Sequence, residues 1–104
     1  MGHQHSGTDI AAPGGTQIGA SAAGMVVAID ERSAYGLTVV VDHGDRVATV
    51  YAHMASTSVV VGDSVAQGET LGTVGNSGFV TGAHLHIEVR VNGTPVNAQP
   101  LLGI

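Results

Sequence analysis

Apolar residues recur at alternate positions along much of this chain. The clearest case is the run from 84 to 91, where Leu85, Ile87, Val89 and Val91 interleave with His84, His86, Glu88 and Arg90. That period of two belongs to a β-strand and sends the two sets to opposite faces of a sheet. One face is greasy and the other carries chemistry. Because the apolar set must be the buried one, the pattern predicts that both histidines lie on a face open to solvent or to a groove. The same pleat is expected to put Tyr51 and His53 on one face of an earlier strand, with Val50 and Ala52 on the other.

Similar runs predict strands near 17–20, 24–30, 37–42, 47–53, 59–61, 70–74 and 84–91, with a short segment at 95–97 closing the chain. No stretch has helical periodicity. His43-Gly44-Asp45 reads as a hairpin tip, since Gly44 tolerates positive φ, and Asn92-Gly93 as a second turn. Sixteen glycines and many Val, Thr and Ile residues fit short antiparallel strands. Residues 1–104 therefore read as a single, mostly β domain built on an antiparallel sheet, and a hairpin of carrier-domain cadence within it points to the β-hybrid, barrel-sandwich-like kind. The segments around Gly15-Thr16-Gln17-Ile18-Gly19 and Gly68-Glu69-Thr70-Leu71-Gly72 echo each other faintly. The run from Val61 to Leu71 has the cadence of a hairpin shared with biotinyl and lipoyl carrier domains. A carrier needs a lysine to modify, and this chain has none.

Charge removes further classes. The only basic residues are Arg32, Arg46 and Arg90, and the formal charge is -5, which argues against binding nucleic acid. No apolar run approaches the roughly 20 residues of a membrane helix. The opening Met1-Gly2-His3-Gln4 lacks the charged and apolar regions of a signal peptide. The chain is accordingly expected to be a domain excised from a longer exported protein. Nothing in the sequence fixes its oligomeric state, and a monomer is the default expectation.

With no cysteine, disulfides and thiolate sites are excluded, and His, Asp and Glu remain as the strong metal ligands. These gather in three clusters: His5-Ser6-Gly7-Thr8-Asp9, Tyr51-Ala52-His53-Met54 and His84-Leu85-His86-Ile87-Glu88. Three such ligands with one position open are the usual stoichiometry of a zinc ion that activates water. Each cluster has a bland alternative. His5 and Asp9 could be a polar terminal loop, His84 and His86 a solvated strand face, and His53 a structural residue. Glu88 could orient an imidazole or simply be solvated. His43 reads as a turn or capping residue, and His3 as a terminal residue that could compete with His5 for metal.

Together the three clusters resemble the lysostaphin and LytM-type zinc metalloendopeptidases, with their duplicated hybrid motif fold. The likeness extends over nearly the whole chain. Tyr35-Gly36, Gly62-Asp63-x-Val65, Gly68-x-x-Leu71-Gly72, Gly75-Asn76-Ser77-Gly78 and Thr81-Gly82 also follow that family's pattern. Met54, Ile87 and Ala83 depart from it, and only four residues precede His5. The resemblance implies one zinc ion held by His5, Asp9 and His86, with His84 as general base and His53 stabilising the transition state in an open active-site groove. It implies hydrolysis of peptidoglycan stem peptides or cross-bridges, outside the cytoplasmic membrane in the cell wall or periplasm. Two other classes stay in view: a non-catalytic cell-wall binding or hydrolase-activating module of the same fold, and a metal-free β carrier or interaction domain.

Overall fold

A computed structural model of the chain describes residues 8–11, 14–32, 36–75 and 84–96, with side chains at 14–31, 36–75 and 86–94. The described residues form strands and turns without a helix. The strands are β1 (Thr8–Ala11), β2 (Gln17–Gly19), β3 (Gly24–Arg32), β4 (Gly36–Gly44), β5 (Val47–Thr57), β6 (Ser64–Val65), β7 (Thr70–Val74), β8 (His84–Val91) and β9 (Thr94–Val96). They join in one antiparallel sheet in the order β1-β8-β5-β4-β3-β6. Outside that path β7 pairs with β2 and β5, and β9 pairs with β8. The mostly β, antiparallel architecture expected from the pattern is the one found. The two echoing segments prove to be partners, with Ile18 opposite Gly72.

β5 organises the molecule. Its first part, Val47 to Ala52, runs between β4 and β8, and beyond residue 53 it exchanges β8 for β7. Residues 49–54 are buried without interruption, which requires cover on both faces of the strand. On one face Tyr51 and Val39 meet Ile87 within the main apolar core, which also takes in Val26, Met54 and Leu71. On the other face Val50 and Ala52 lie opposite Glu88 and His86. That second face is therefore not the open surface the alternation predicts: Glu88 on it is fully buried.

Two hairpins follow from their turn residues. Asn92 and Gly93 both have positive φ (55° and 80°) between Val91 and Thr94. This is the geometry that matches strand twist and for which Asn-Gly is favoured. The β4–β5 tip falls at Asp45 and Arg46, also both at positive φ, one position later than expected, and His43 lies within β4.

The strand expected at 59–61 is a turn. Asp63 accepts a hydrogen bond from the Val60 N–H on Oδ2 (2.9 Å) and donates its own N–H to the Val60 carbonyl (3.1 Å). Gly62 supplies the positive φ between them. Six residues later the same device recurs, with Glu69 accepting from the Ala66 N–H (2.9 Å) beside Gly68. The short strand β6 is suspended between these turns and pairs with β3. A carboxylate closing its own turn outcompetes the β-branched preference of Val59-Val60-Val61.

Candidate metal centre

His86 occupies the centre of a row across three strands. Its partner on β1 is Asp9 and its partner on β5 is Ala52. Directly opposed residues of an antiparallel pair share a face of the sheet, so the register puts position 9 on the face that carries His86. The alanine keeps the other flank of the imidazole small.

His53 reaches the same face by a break in the pleat. Tyr51 pairs with Val39 and Met54 with Leu37, so Ala52 and His53 together oppose the single residue Thr38. This is a β-bulge, which re-aims a side chain. His53 takes φ of 63°, a left-handed conformation that costs a non-glycine residue roughly 1–2 kcal/mol. Its carbonyl is held by the Gly75 N–H at 3.0 Å. That approach needs glycine, because a Cβ at position 75 would stand 2.6 Å from the Ala55 methyl. As a result the buried His53 ring stands edge-on to His86, with centroids 5.9 Å apart. The expectation that Tyr51 and His53 share a face is thus corrected: Tyr51 enters the core and the bulge turns His53 to the opposite side.

The next two same-face positions along β8 complete a chain of contacts. Glu88 Oε2 lies 3.1 Å from His86 Nε2, and Glu88 Oε1 accepts from Arg90 Nε (2.9 Å) and Nη2 (2.7 Å). A fully buried carboxylate is tolerable only when paired and hydrogen-bonded, and both of its oxygens are engaged. Among the described residues no buried side-chain nitrogen or oxygen lacks a partner. Since a carboxylate only accepts, His86 Nε2 is the donor in this contact. A carboxylate behind an imidazole is the outer partner that commonly accompanies a metal-ligating histidine.

Of the residues expected at the site, His53 and His86 are in ring contact and Asp9 is in register with His86. His84 lies opposite Ala11 on β8; its side chain and that of Asp9 are outside the described residues, as are His5 and His3 altogether. Arg90 carries no role in the sequence reading beyond its charge. Its spacing of two from Glu88, and of four from His86, was the available signal. His43, expected as a turn residue, is instead a tie. Its Nδ1 lies 2.8 Å from the Ala23 carbonyl and its Nε2 2.8 Å from Thr49 Oγ1. Thr49 donates to the Tyr51 hydroxyl (2.7 Å), which also meets Ser21.

The family model described as Peptidase family M23 matches residues 3–98. The DD-carboxypeptidase/endopeptidase Mpg of Neisseria meningitidis serogroup B is 45% identical over 93 residues, covering 89% of this chain and 21% of Mpg. The murein hydrolase activator EnvC of Escherichia coli is 40% identical over 97 residues, covering 93% of this chain and 23% of EnvC. The chain thus spans about a fifth of the length of the curated relatives it matches. Among solved structures, the catalytic domain of lysostaphin from Staphylococcus simulans superposes with a TM-score of 0.89 at 27% identity, covering 96% of this chain and 80% of that one. A zinc-containing peptidase from Vibrio cholerae gives 0.86 at 34% identity, over 88% of this chain and 28% of that one.

Proposed function

The chain belongs to peptidase family M23, and from that premise we propose that it is a zinc-dependent endopeptidase acting on the peptide cross-links of bacterial peptidoglycan. One observation carries the reading. His86 is held by Glu88 as an Nε2-protonated imidazole, in register with Asp9 and in ring contact with His53. Nitrogen and oxygen donors of this kind suit zinc, and zinc is named in the description of the V. cholerae neighbour.

His5, Asp9 and His86 would hold the ion. Once bound, zinc supplies a Lewis acid that polarises a scissile carbonyl and lowers the pKa of water. His84 takes the proton of the attacking water and returns it to the leaving amine, a role worth typically about 10²–10⁴-fold. His53, fixed by its bulge and withdrawn from solvent, donates a hydrogen bond to the carbonyl oxygen as negative charge develops. A donor set in place beforehand needs no reorganisation at the moment of reaction. The description of Mpg as a DD-carboxypeptidase/endopeptidase favours a D-alanyl cross-link over a glycyl-glycine bridge as the bond cut. Such a substrate lies outside the cytoplasmic membrane.

EnvC, named as an activator, supports a second reading in which the same fold regulates other wall hydrolases. Metal content and product analysis separate the two. The purified chain reconstituted with zinc is expected to hold one ion and to split D-alanyl cross-linked muropeptides, with products identified by mass. His86→Ala should lose the ion, and His84→Ala should keep it while losing hydrolysis. A stoichiometry well below one in the parent chain would sink the enzymatic reading, and equal zinc loss in both variants would overturn the division of roles.

A further inference from the structure

We propose that Glu88 and Arg90 are positioning residues for the metal, acting through His86: Arg90 anchors the Glu88 carboxylate, and the carboxylate fixes both the tautomer and the ring orientation of the imidazole. The inference rests on the zinc reading above and adds to it a part of the site that lies behind the ligands.

Three features of the molecule support it. First, Glu88 is fully buried, with 0% of its side chain exposed, whereas His86 is 15% and Arg90 30% exposed. The carboxylate is thus the inner member of the row and Arg90 is its link to the outside. Second, the contacts are divided between the two oxygens. Arg90 sends both Nε and Nη2 to Oε1, and Oε2 faces His86 Nε2. Two donors of a planar guanidinium on one oxygen hold the carboxylate against rotation, so Oε2 is aimed rather than merely available. Third, all three residues lie at successive same-face positions of a strand paired on both sides. His86 has partners on β1 and β5, Glu88 is paired with β5, and Arg90 has partners on β5 and β9. Backbone pairing on both flanks of His86 and Arg90, and with β5 at Glu88 between them, leaves the row little freedom to reorganise. With both oxygens engaged, Glu88 is not the group that exchanges a proton with substrate.

The proposal makes a definite statement about a proton. With Nε2 donating to the Glu88 carboxylate, Nδ1 is the nitrogen through which His86 would ligate zinc. Glu88→Gln preserves size but breaks this logic. If the Gln oxygen faces His86, its amide hydrogens face the guanidinium; if the amide is reversed, the imidazole must move its proton to Nδ1 to accept from it. Either outcome spoils the arrangement.

The test has two readouts on the intact chain. Long-range nitrogen-proton NMR correlations assign the His86 tautomer without metal, and competition with a chromogenic chelator gives the zinc dissociation constant. Wild type is expected to show the Nε2–H form. Glu88→Gln is expected to bind zinc about 10–100-fold more weakly, the usual cost of losing an outer partner of a metal-bound histidine. Arg90→Lys, which keeps the charge but not the fork, should weaken zinc binding by less than Glu88→Gln and leave the Nε2–H form in place. A purely structural role would lower thermal stability and leave tautomer and zinc affinity alone. The proposal is overturned if wild-type His86 carries its proton on Nδ1, or if folded Glu88→Gln binds zinc as tightly as wild type. Should Glu88→Gln fail to fold, the wild-type tautomer and the affinity of Arg90→Lys decide, unchanged affinity in the latter counting against the proposal. A wild type that binds no zinc refutes the enzymatic reading and this inference together, whereas zinc-binding wild type with unaffected variants refutes only this one.

Discussion

Two buried polar systems occupy opposite faces of the β5–β8 ladder, and they are made of different material. On one face His86, Glu88 and Arg90 follow one another along a single strand, and the central group is a carboxylate without solvent exposure. On the other, Tyr51 gathers Ser21 and Thr49, and Thr49 continues to His43 and through it to the Ala23 carbonyl, joining segments 20 to 30 residues apart. Hydroxyls both donate and accept, so a network of them accommodates partners from distant parts of the chain. A carboxylate and a guanidinium each play one part only. They are safely buried when one strand's pleat sets their spacing. On the proposed reading the charged row serves the metal site, whereas the hydroxyl network packs the 20–24 segment against the sheet.

The comparison is broken most severely by Arg90→Met, which leaves Glu88 buried without its cation. Removing one partner of a buried pair commonly costs 3–5 kcal/mol, and because Arg90 is itself partly solvated the expected loss is about 3 kcal/mol. Urea unfolding measures it. Tyr51→Phe attacks the other face by deleting the hydroxyl that serves Ser21 and Thr49. A loss of about 1–3 kcal/mol is expected, with zinc affinity unchanged. A fall in zinc affinity comparable with that of Glu88→Gln would show that the two faces are not independent. The smallest effect belongs to His43→Ala, about 0.5–1.5 kcal/mol, because water replaces much of what a half-exposed imidazole contributes. Calorimetry on that variant checks whether the network has a strong centre at Tyr51 and a weak periphery.

Much of the architecture is legible in the chain because it is written in short-range terms. Alternation identifies β4, β5, β7 and β8 to within a few residues, and Asn92-Gly93 announces its hairpin. What escapes depends on partners. Nothing in Tyr51-Ala52-His53-Met54 reveals that Thr38 will face two residues, or that β5 will trade β8 for β7 there. Strict alternation therefore assigns His53 to the wrong face. Val59-Val60-Val61 looks like a strand until the Asp63 side chain is seen to close the turn. Glu88 illustrates a different limit: its position on the polar face is evident, but its complete burial depends on what covers that face. The roles of His5, Asp9 and His84 come from family resemblance. The structure contributes the register that sets Asp9 opposite His86.

That register has a consequence for assembly of the chain. Among the described residues β1 stands at one end of the strand order with β8 as its partner, and the pairing joins strands far apart in the sequence. Edge strands with few contacts are the first to open in a folded domain. An ion shared by Asp9 and His86 would favour the closed state by mass action, so occupancy and docking of the first strand would rise and fall together. A chain emerging in order would have to reach β8 before Asp9 had His86 with which to share an ion. Metal uptake would then mark the docking of β1 on β8.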